Sequence, residues 1–150
     1  MRALVLAAAV LLMTSPAMAA AQTAAEPDIV VEARAFMESY ARDLLAGDRP
    51  AIASRYDRSG AWMASGGQAR LISHDIIARR YAEDWSPPTA FEWRDLVFIP
   101  SGEDAVTVIG RFVWTSEDGT PDLISYHGQF VREDGELRIL VEDETPVPAE

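Results

Sequence analysis

The sequence contains no cysteine, no lysine and only two histidines, His74 and His127. Without cysteine the chain can form no disulfide, zinc–cysteine site, iron–sulfur cluster or thiol nucleophile. We also expect no metal ion and no cofactor. The 13 basic residues are all arginine and stand against 24 acidic residues, which gives a formal net charge of −11. Because so acidic a chain repels phosphate backbones and anionic lipids, we expect no nucleic-acid partner and no role at a membrane surface.

Long apolar runs are also scarce, and the one at the N-terminus has the pattern of an export signal. Arg2 precedes the apolar residues 3–13, and the small-x-small sequence Ala17-Met18-Ala19 follows them. The run is too short to cross a bilayer as a stable helix, whereas its order of charge, apolar segment and small residues is typical of a signal peptide. A helix of the mature domain is the alternative interpretation. We predict that residues 1–19 are removed and that the product is exported, to the periplasm or the medium, with no membrane association afterwards.

The rest of the chain has the length and apolar content of one domain, which we place at residues 29–145. Residues 20–28 are expected to be a disordered lead-in, and residues 146–150 a short tail. No internal repeat and no linker divides the segment between them.

Helical periodicity dominates the first part of this domain. Apolar residues recur at helical spacing from Ile29 to Leu44, and Gly47 is placed to end that helix. A short second helix is predicted from Asp48, and a third after Ser73. Residues 61–64 and 69–72 read as two short strands around a glycine turn.

The second part is rich in β-forming residues. Four runs are predicted as strands: Phe91–Ile99, Ala105–Thr115, Leu123–Arg132 and Leu137–Glu144. Asp118-Gly119 and Asp134-Gly135 are hairpin signals between them. Helices followed by a meander predict an α+β fold, in which three N-terminal helices pack on a curved antiparallel sheet.

The hairpin turns also predict which side chains face the helices. A two-residue turn at Asp134-Gly135 pairs Glu133 with Glu136 and, continued along the strands, places Tyr126 opposite Asp143. Matching of apolar faces places Phe112 opposite Tyr126 on the preceding pair of strands. The opposite face of the sheet is then mostly polar, and we expect Arg111, His127 and Glu142 on it.

Four stretches of the chain together resemble a known family. They are residues 40–48, 52–57, 73–81 and 130–139, in this order and spacing. The chain resembles the nuclear-transport-factor-2-like (NTF2-like) superfamily, in particular its SnoaL-like polyketide-cyclase and small exported branches, over nearly all of residues 29–145. It departs from the family where Leu137 replaces a usual tryptophan. The resemblance implies a cone-shaped pocket between sheet and helices and, in many members, a homodimer. Members include isomerases, cyclases, epoxide hydrolases, dehydratases and domains that only bind, so the resemblance selects no activity.

The domain is unusually rich in large aromatic side chains, which either line a pocket for a flat apolar ligand or pack as core. The predicted pocket residues are Tyr40, Tyr56, Trp62, Tyr81, Trp85, Trp93, Phe112 and Trp114.

Acidic residues on the apolar face are the candidates for catalysis. Asp143 is the leading candidate, because a carboxyl group in apolar surroundings holds its proton more tightly and can act as acid or base. Tyr126, opposite Asp143, is predicted as a second catalytic residue that donates a hydrogen bond to the carboxylate. Asp95 is a second candidate, and it faces the pocket only if the first two meander strands pair with Pro100 opposite Ala105. The alternative is that both acids are solvated at the surface.

Three functions remain open on the sequence alone. The first is an exported domain that binds a small, largely apolar molecule in its cone. The second is an acid/base enzyme of the isomerase, cyclase or hydratase type that uses Asp143. The third is a dimeric association module with a filled cone. A cone lined by aromatic groups with a buried acid favours the enzyme, a purely apolar cone favours binding, and a collapsed cone favours association.

Overall fold

A computed structural model describes residues 26–148 as three helices and six strands. The predicted signal peptide at residues 1–19 lies outside these residues, as do most of the predicted lead-in and the end of the predicted tail. The elements, in chain order, are α1 (Asp28–Ala46), α2 (Arg49–Ser54), β1 (Ala61–Ser65), β2 (Gln68–Ile72), α3 (His74–Glu83), β3 (Ala90–Pro100), β4 (Ala105–Thr115), β5 (Pro121–Glu133) and β6 (Glu136–Pro146).

Individual residues near the helix ends determine where α1 ends and α2 begins. Gly47 ends α1 in the left-handed conformation, at φ 68°, which glycine adopts without steric cost. The Asp48 carboxylate then accepts a hydrogen bond from the Ala51 amide at 3.1 Å and caps α2. Helix α1 packs on β3, β4 and β6, while α2 packs against α3. Within residues 26–148, no helix is both long and apolar enough to cross a membrane.

The six strands form one sheet in the order β2-β1-β6-β5-β4-β3. Strands β3 to β6 form the predicted antiparallel meander, and their extents match the predicted runs to within two residues. The prediction did not contain the parallel pairing of β1 with β6, which makes the sheet mixed. This pairing brings the β1–β2 hairpin to the acidic end of β6.

The inner face of the sheet, which the helices cover, carries the core. Its buried apolar side chains on β4, β5 and β6 are those of Val106, Val108, Phe112, Tyr126, Phe130, Leu137 and Ile139. Helix residues such as Met37, Ile52 and Ile77 pack against them. This arrangement confirms the α+β fold with three helices on a sheet, and Leu137 is buried in the core.

The predicted registers hold near the turns and fail farther along the strands. Between β5 and β6, Glu133 pairs with Glu136 as predicted, but the register shifts between Gln129 and Phe130. Beyond the shift Tyr126 lies opposite Glu144, and Asp143 lies opposite His127, so the predicted Tyr126–Asp143 pairing is wrong.

Between β4 and β5 the observed register differs from the predicted one by two residues. Phe112 lies opposite Ile124, and Tyr126 lies opposite Gly110. Because a two-residue difference preserves the side of the sheet on which a side chain lies, the inner face of these two strands is as predicted.

Candidate active site

A bulge in β6 determines which acidic side chains face inward. Phe130 pairs with Ile139 and Gln129 with Val141, so Leu140 is an additional residue on the β6 side. One additional residue reverses the facing of every residue beyond it. Glu142, expected on the outer face, is therefore buried at 2% exposure.

Asp143 lies on the outer face for the same reason. It pairs with the exposed His127, and its carboxylate accepts a hydrogen bond from the Thr145 hydroxyl at 3.1 Å. The expectation that Asp143 faces the cone is wrong, and the two glutamates that flank it occupy the inner face in its place.

An open cavity of about 570 Å³ lies between the helices and the inner face of the sheet. Six of the predicted pocket residues line it: Tyr40, Tyr81, Trp85, Trp93, Phe112 and Trp114. Phe91 and Ile124 add apolar surface, and Glu144 contributes a carboxyl group to the same wall. The cone is therefore neither filled nor purely apolar.

The aromatic walls hold one another in place. The Trp93 indole nitrogen donates a hydrogen bond to the Met37 carbonyl at 3.0 Å, which ties β3 to α1. The Trp93 ring meets Phe112 edge to face, with 5.4 Å between centroids, and Trp85 meets Trp114 in the same way at 6.1 Å. Such pairs favour a fixed geometry, so the aromatic side chains of the cavity wall support one another.

Behind this wall, three tyrosine hydroxyls and one carboxyl group form a buried cluster. The Tyr56 hydroxyl donates to Glu142 Oε2 at 2.5 Å. It also lies 2.9 Å from the Tyr81 hydroxyl and 3.2 Å from the Tyr40 hydroxyl. Tyr56 is fully buried and does not itself line the cavity. Its hydroxyl instead connects two cavity-lining tyrosines to Glu142.

Burial shifts the proton affinity of both inward glutamates. Removal from water raises the pKa of Glu142 to about 7, and the hydrogen bond from Tyr56 offsets part of that rise. Burial, together with the negative charges of Glu142 and Asp143, raises the pKa of Glu144 to about 8. Neither glutamate forms an ion pair with a described arginine or histidine. Both carboxyl groups therefore take up or release a proton near neutral pH.

Tyr126, a predicted catalytic residue, is fully buried on the inner face, with its ring against Trp93. Its hydroxyl lies over Gly128, where a Cβ atom would be only 2.6 Å from it, so the glycine leaves the space that the phenol occupies. Gly128 in turn lies opposite Glu142. Among the described residues, neither the Tyr126 hydroxyl nor Glu142 Oε1 has a hydrogen-bond partner, although both atoms are buried. Such atoms are uncommon in folded proteins.

Two other predicted site residues lie outside the cavity. The register between β3 and β4 shifts between Arg94 and Val97, and Asp95 sits at the shift with φ 54°. Asp95 forms an ion pair with Arg111 at the surface, so its expected inward placement is wrong. Trp62 is 47% exposed and pairs with Val141 on β6, so the expectation that it lines the pocket is also wrong.

A second cavity, of about 370 Å³, adjoins the first beside β1 and β2. The two cavities share Met63, Arg80 and Glu144, and Glu142 lies in the wall of the second. Residues 26–148 contain no group of three or more histidine, aspartate or glutamate side chains placed to hold a metal ion. The carboxyl groups of these walls can give or accept a proton, and the phenols of Tyr40 and Tyr81 can donate hydrogen bonds.

Comparison with known proteins assigns the architecture. No family model matches the chain, and no curated protein matches it. Solved structures do match. An NTF2-like protein of unknown function from Shewanella oneidensis superposes with a TM-score of 0.69 at 12% identity, over 78% of this chain and 98% of that one. A cystatin-like fold protein from Burkholderia xenovorans gives 0.69 at 20% identity, over 83% and 96%. A proposed dehydratase of the NTF2-like family from Streptomyces avermitilis gives 0.63 at 14% identity, over 81% and 97%.

The chain therefore has the NTF2-like fold, as the resemblance implied. Identities this low establish the fold alone, and the activity has to be argued from the cavity and its acidic pair.

Proposed function

We propose that this protein is a proton-transfer enzyme that binds a small, largely apolar aromatic molecule in its cone. The observation that carries the proposal is the acidic pair: Glu142 and Glu144 lie two residues apart on one strand, both on the inner face, and both with pKa values raised to near neutrality. An aromatic cavity with Glu144 in its wall, and the buried Glu142 behind that wall, favours an enzyme over a simple binding domain. An open cavity of about 570 Å³ disfavours an association module with a filled cone.

The environments of the two glutamates suggest different roles. The hydrogen bond from Tyr56 stabilises the ionised form of Glu142, so we assign Glu142 as the base. Glu144 lines the aromatic cavity, where burial raises its pKa, so we assign it as the acid that meets the substrate oxygen.

The reaction that this arrangement supports is enolisation of a carbonyl compound. The Glu142 carboxylate removes a proton from the carbon next to the carbonyl group, and the electrons of that C–H bond form a C=C bond. The carbonyl oxygen takes the proton of Glu144 and becomes an enol hydroxyl. Return of a proton to a different carbon completes an isomerisation, whereas loss of a neighbouring hydroxyl group as water completes a dehydration. The fold shared with proposed dehydratases from Streptomyces avermitilis and Novosphingobium aromaticivorans is compatible with the second outcome.

Exchange of carbon-bound protons for deuterium tests the proposal without knowledge of the natural substrate. We would incubate the protein with 2-tetralone, a bicyclic aromatic ketone, in D₂O and follow the protons next to the carbonyl by NMR. The wild-type protein should accelerate exchange. Glu142→Gln and Glu144→Gln should each reduce the acceleration by about 100-fold or more, the usual contribution of a general acid or base.

Asp143→Asn is the matched control, because it removes one charge from the same strand on the outer face. It should retain most of the acceleration. Exchange no faster with wild-type protein than with buffer would contradict the proposal, as would equal losses in all three variants.

A further inference from the structure

The second cavity contains two arginines whose charges are not neutralised by described residues. Arg70 on β2 and Arg80 on α3 both line it, and Arg80 also borders the aromatic cavity. Neither side chain forms an ion pair or a hydrogen bond with another residue in the described part of the chain. Most described arginines, such as Arg55 with Asp43 and Arg132 with Glu32, do form such pairs.

The unpaired state of these arginines is informative because the chain is so acidic. With a formal net charge of −11, carboxylates greatly outnumber guanidinium groups, and seven of the described arginines form an ion pair with one. Two arginines that face one cavity without a partner leave planar, charged donors directed at a space of about 370 Å³. Guanidinium groups bind carboxylates in a two-pronged geometry, which gives both strength and orientation.

The position of the glutamates connects the two cavities. Glu144 lies in the wall of both, and Glu142 lies in the wall of the second. Glu142 Oε1 is buried and has no hydrogen-bond partner among the described residues. A molecule that spans both spaces would therefore present its middle atoms to the acidic pair.

We infer that the substrate is an aromatic carboxylate whose anionic group binds Arg70 and Arg80 in the second cavity while its ring occupies the aromatic cavity. This inference rests on the proposed function and adds the class of substrate. Binding of the carboxylate fixes how far the molecule extends from the second cavity into the aromatic cavity, so that the carbon atoms between ring and anion lie beside Glu142 and Glu144. The largely protonated state of the pair below neutral pH reduces its repulsion of the incoming anion.

The test compares two probes of the same shape and different charge. Affinities for 3-(2-naphthyl)propanoate and for the neutral 3-(2-naphthyl)propanamide, which both have two carbon atoms between the ring and the polar group, would be measured by calorimetry at pH 6. The measurements would use wild-type protein and Arg70→Gln, Arg80→Gln and Arg79→Gln. Arg79 is the matched control, because it neighbours Arg80 on α3, is exposed, and lines neither cavity. Wild-type protein should bind the propanoate about tenfold or more tightly than the amide, as charge-assisted pairing requires.

Arg70→Gln and Arg80→Gln should each remove most of that preference and leave affinity for the amide nearly unchanged, whereas Arg79→Gln should retain the preference. Equal wild-type affinity for the two probes would overturn the inference and leave the proposed function standing. An equal loss in Arg79→Gln would overturn it as well, since it would indicate a general charge effect. Failure of wild-type protein to bind either probe would contradict both proposals.

Discussion

The phenol of Tyr56 donates a hydrogen bond to the carboxyl group of Glu142, and this contact joins the segment after α2 to the acidic end of β6. The same hydroxyl lies within hydrogen-bond distance of Tyr81 and Tyr40, which line the aromatic cavity. Ionisation of Glu142 is therefore coupled to the groups that a bound ligand would contact.

Tyr56→Phe tests this coupling directly. The change removes the donor that stabilises the ionised form of Glu142, so the pKa of Glu142 should rise above about 7. The pH profile of 2-tetralone exchange should then begin its rise at higher pH than in the wild-type protein. Tyr81→Phe is the control, because it leaves the Tyr56–Glu142 hydrogen bond in place and should move the profile less. An unchanged profile in Tyr56→Phe would contradict the role given to Glu142 as base.

The dependence of stability on pH provides a second test. Because the pKa of Glu142 is higher in the folded than in the unfolded state, the folded protein binds more protons between those two values. The contribution of Glu142 to stability is therefore present below about pH 4.5 and is lost as the pH rises through about 7.

Glu142→Gln removes this loss, so the variant should gain stability relative to the wild type on going from pH 5 to pH 8. The relative gain should be on the order of 1–3 kcal/mol by the linkage between pKa and stability. Urea unfolding at both pH values measures it. The control is Glu117→Gln, at an exposed loop position. A Glu142→Gln variant whose stability follows the wild type at both pH values would show that Glu142 titrates normally.

The sequence predicts the helices, the strands and the aromatic cavity better than it predicts which acidic side chains face that cavity. Regular periodicity predicts α1 and the four meander strands, because helix and strand spacing depends on local residues. The facing of Glu142 depends instead on one additional residue, Leu140, between Ile139 and Val141. Three consecutive apolar residues in an otherwise alternating strand are the available signal of a bulge. When the register is extended from the two-residue turn without this bulge, every acidic residue beyond it is assigned to the wrong face of the sheet.

The predicted placement of Asp95 was wrong for a related reason. The register shift between Arg94 and Val97 places Asp95 in the left-handed region, a conformation that propensity does not predict for a residue in a strand. The prediction that Trp62 lines the pocket was wrong because the parallel pairing of β1 with β6 joins residues that are far apart in sequence. Neither effect has a local signature, so both needed the tertiary structure.

We also propose that the outer face of the sheet forms a homodimer interface, as the family resemblance implied. Val97 and Ile109 are exposed and lie directly opposite each other on β3 and β4, and Ile99 extends this apolar surface. A second copy that covers this face should bury about 2,000 Å² or more in total if the dimer is obligate. Sedimentation at micromolar concentration should give twice the chain mass, and Ile109→Glu should reduce it. A monomeric wild-type protein would contradict the proposal.

Export is a separate proposal, and it rests on residues 1–19. The mass of the mature protein should correspond to loss of these residues, to within a residue or two of the small-x-small site. Ala17→Arg should block the cleavage, because signal peptidases require small residues there. A mature product that still begins at Met1 would contradict the proposal.

The most direct test of the acidic pair is a pH titration of the glutamate side-chain carboxyl carbons by ¹³C NMR, with Glu142→Gln and Glu144→Gln used to assign the two resonances. We expect midpoints of about 7 for Glu142 and about 8 for Glu144, and Glu142→Gln should lower the midpoint of Glu144, because it removes a negative charge that raises the pKa of Glu144. Midpoints near 4.5 for both residues, the value of a solvated glutamate, would contradict the central claim that this cone holds an acid and a base near neutral pH.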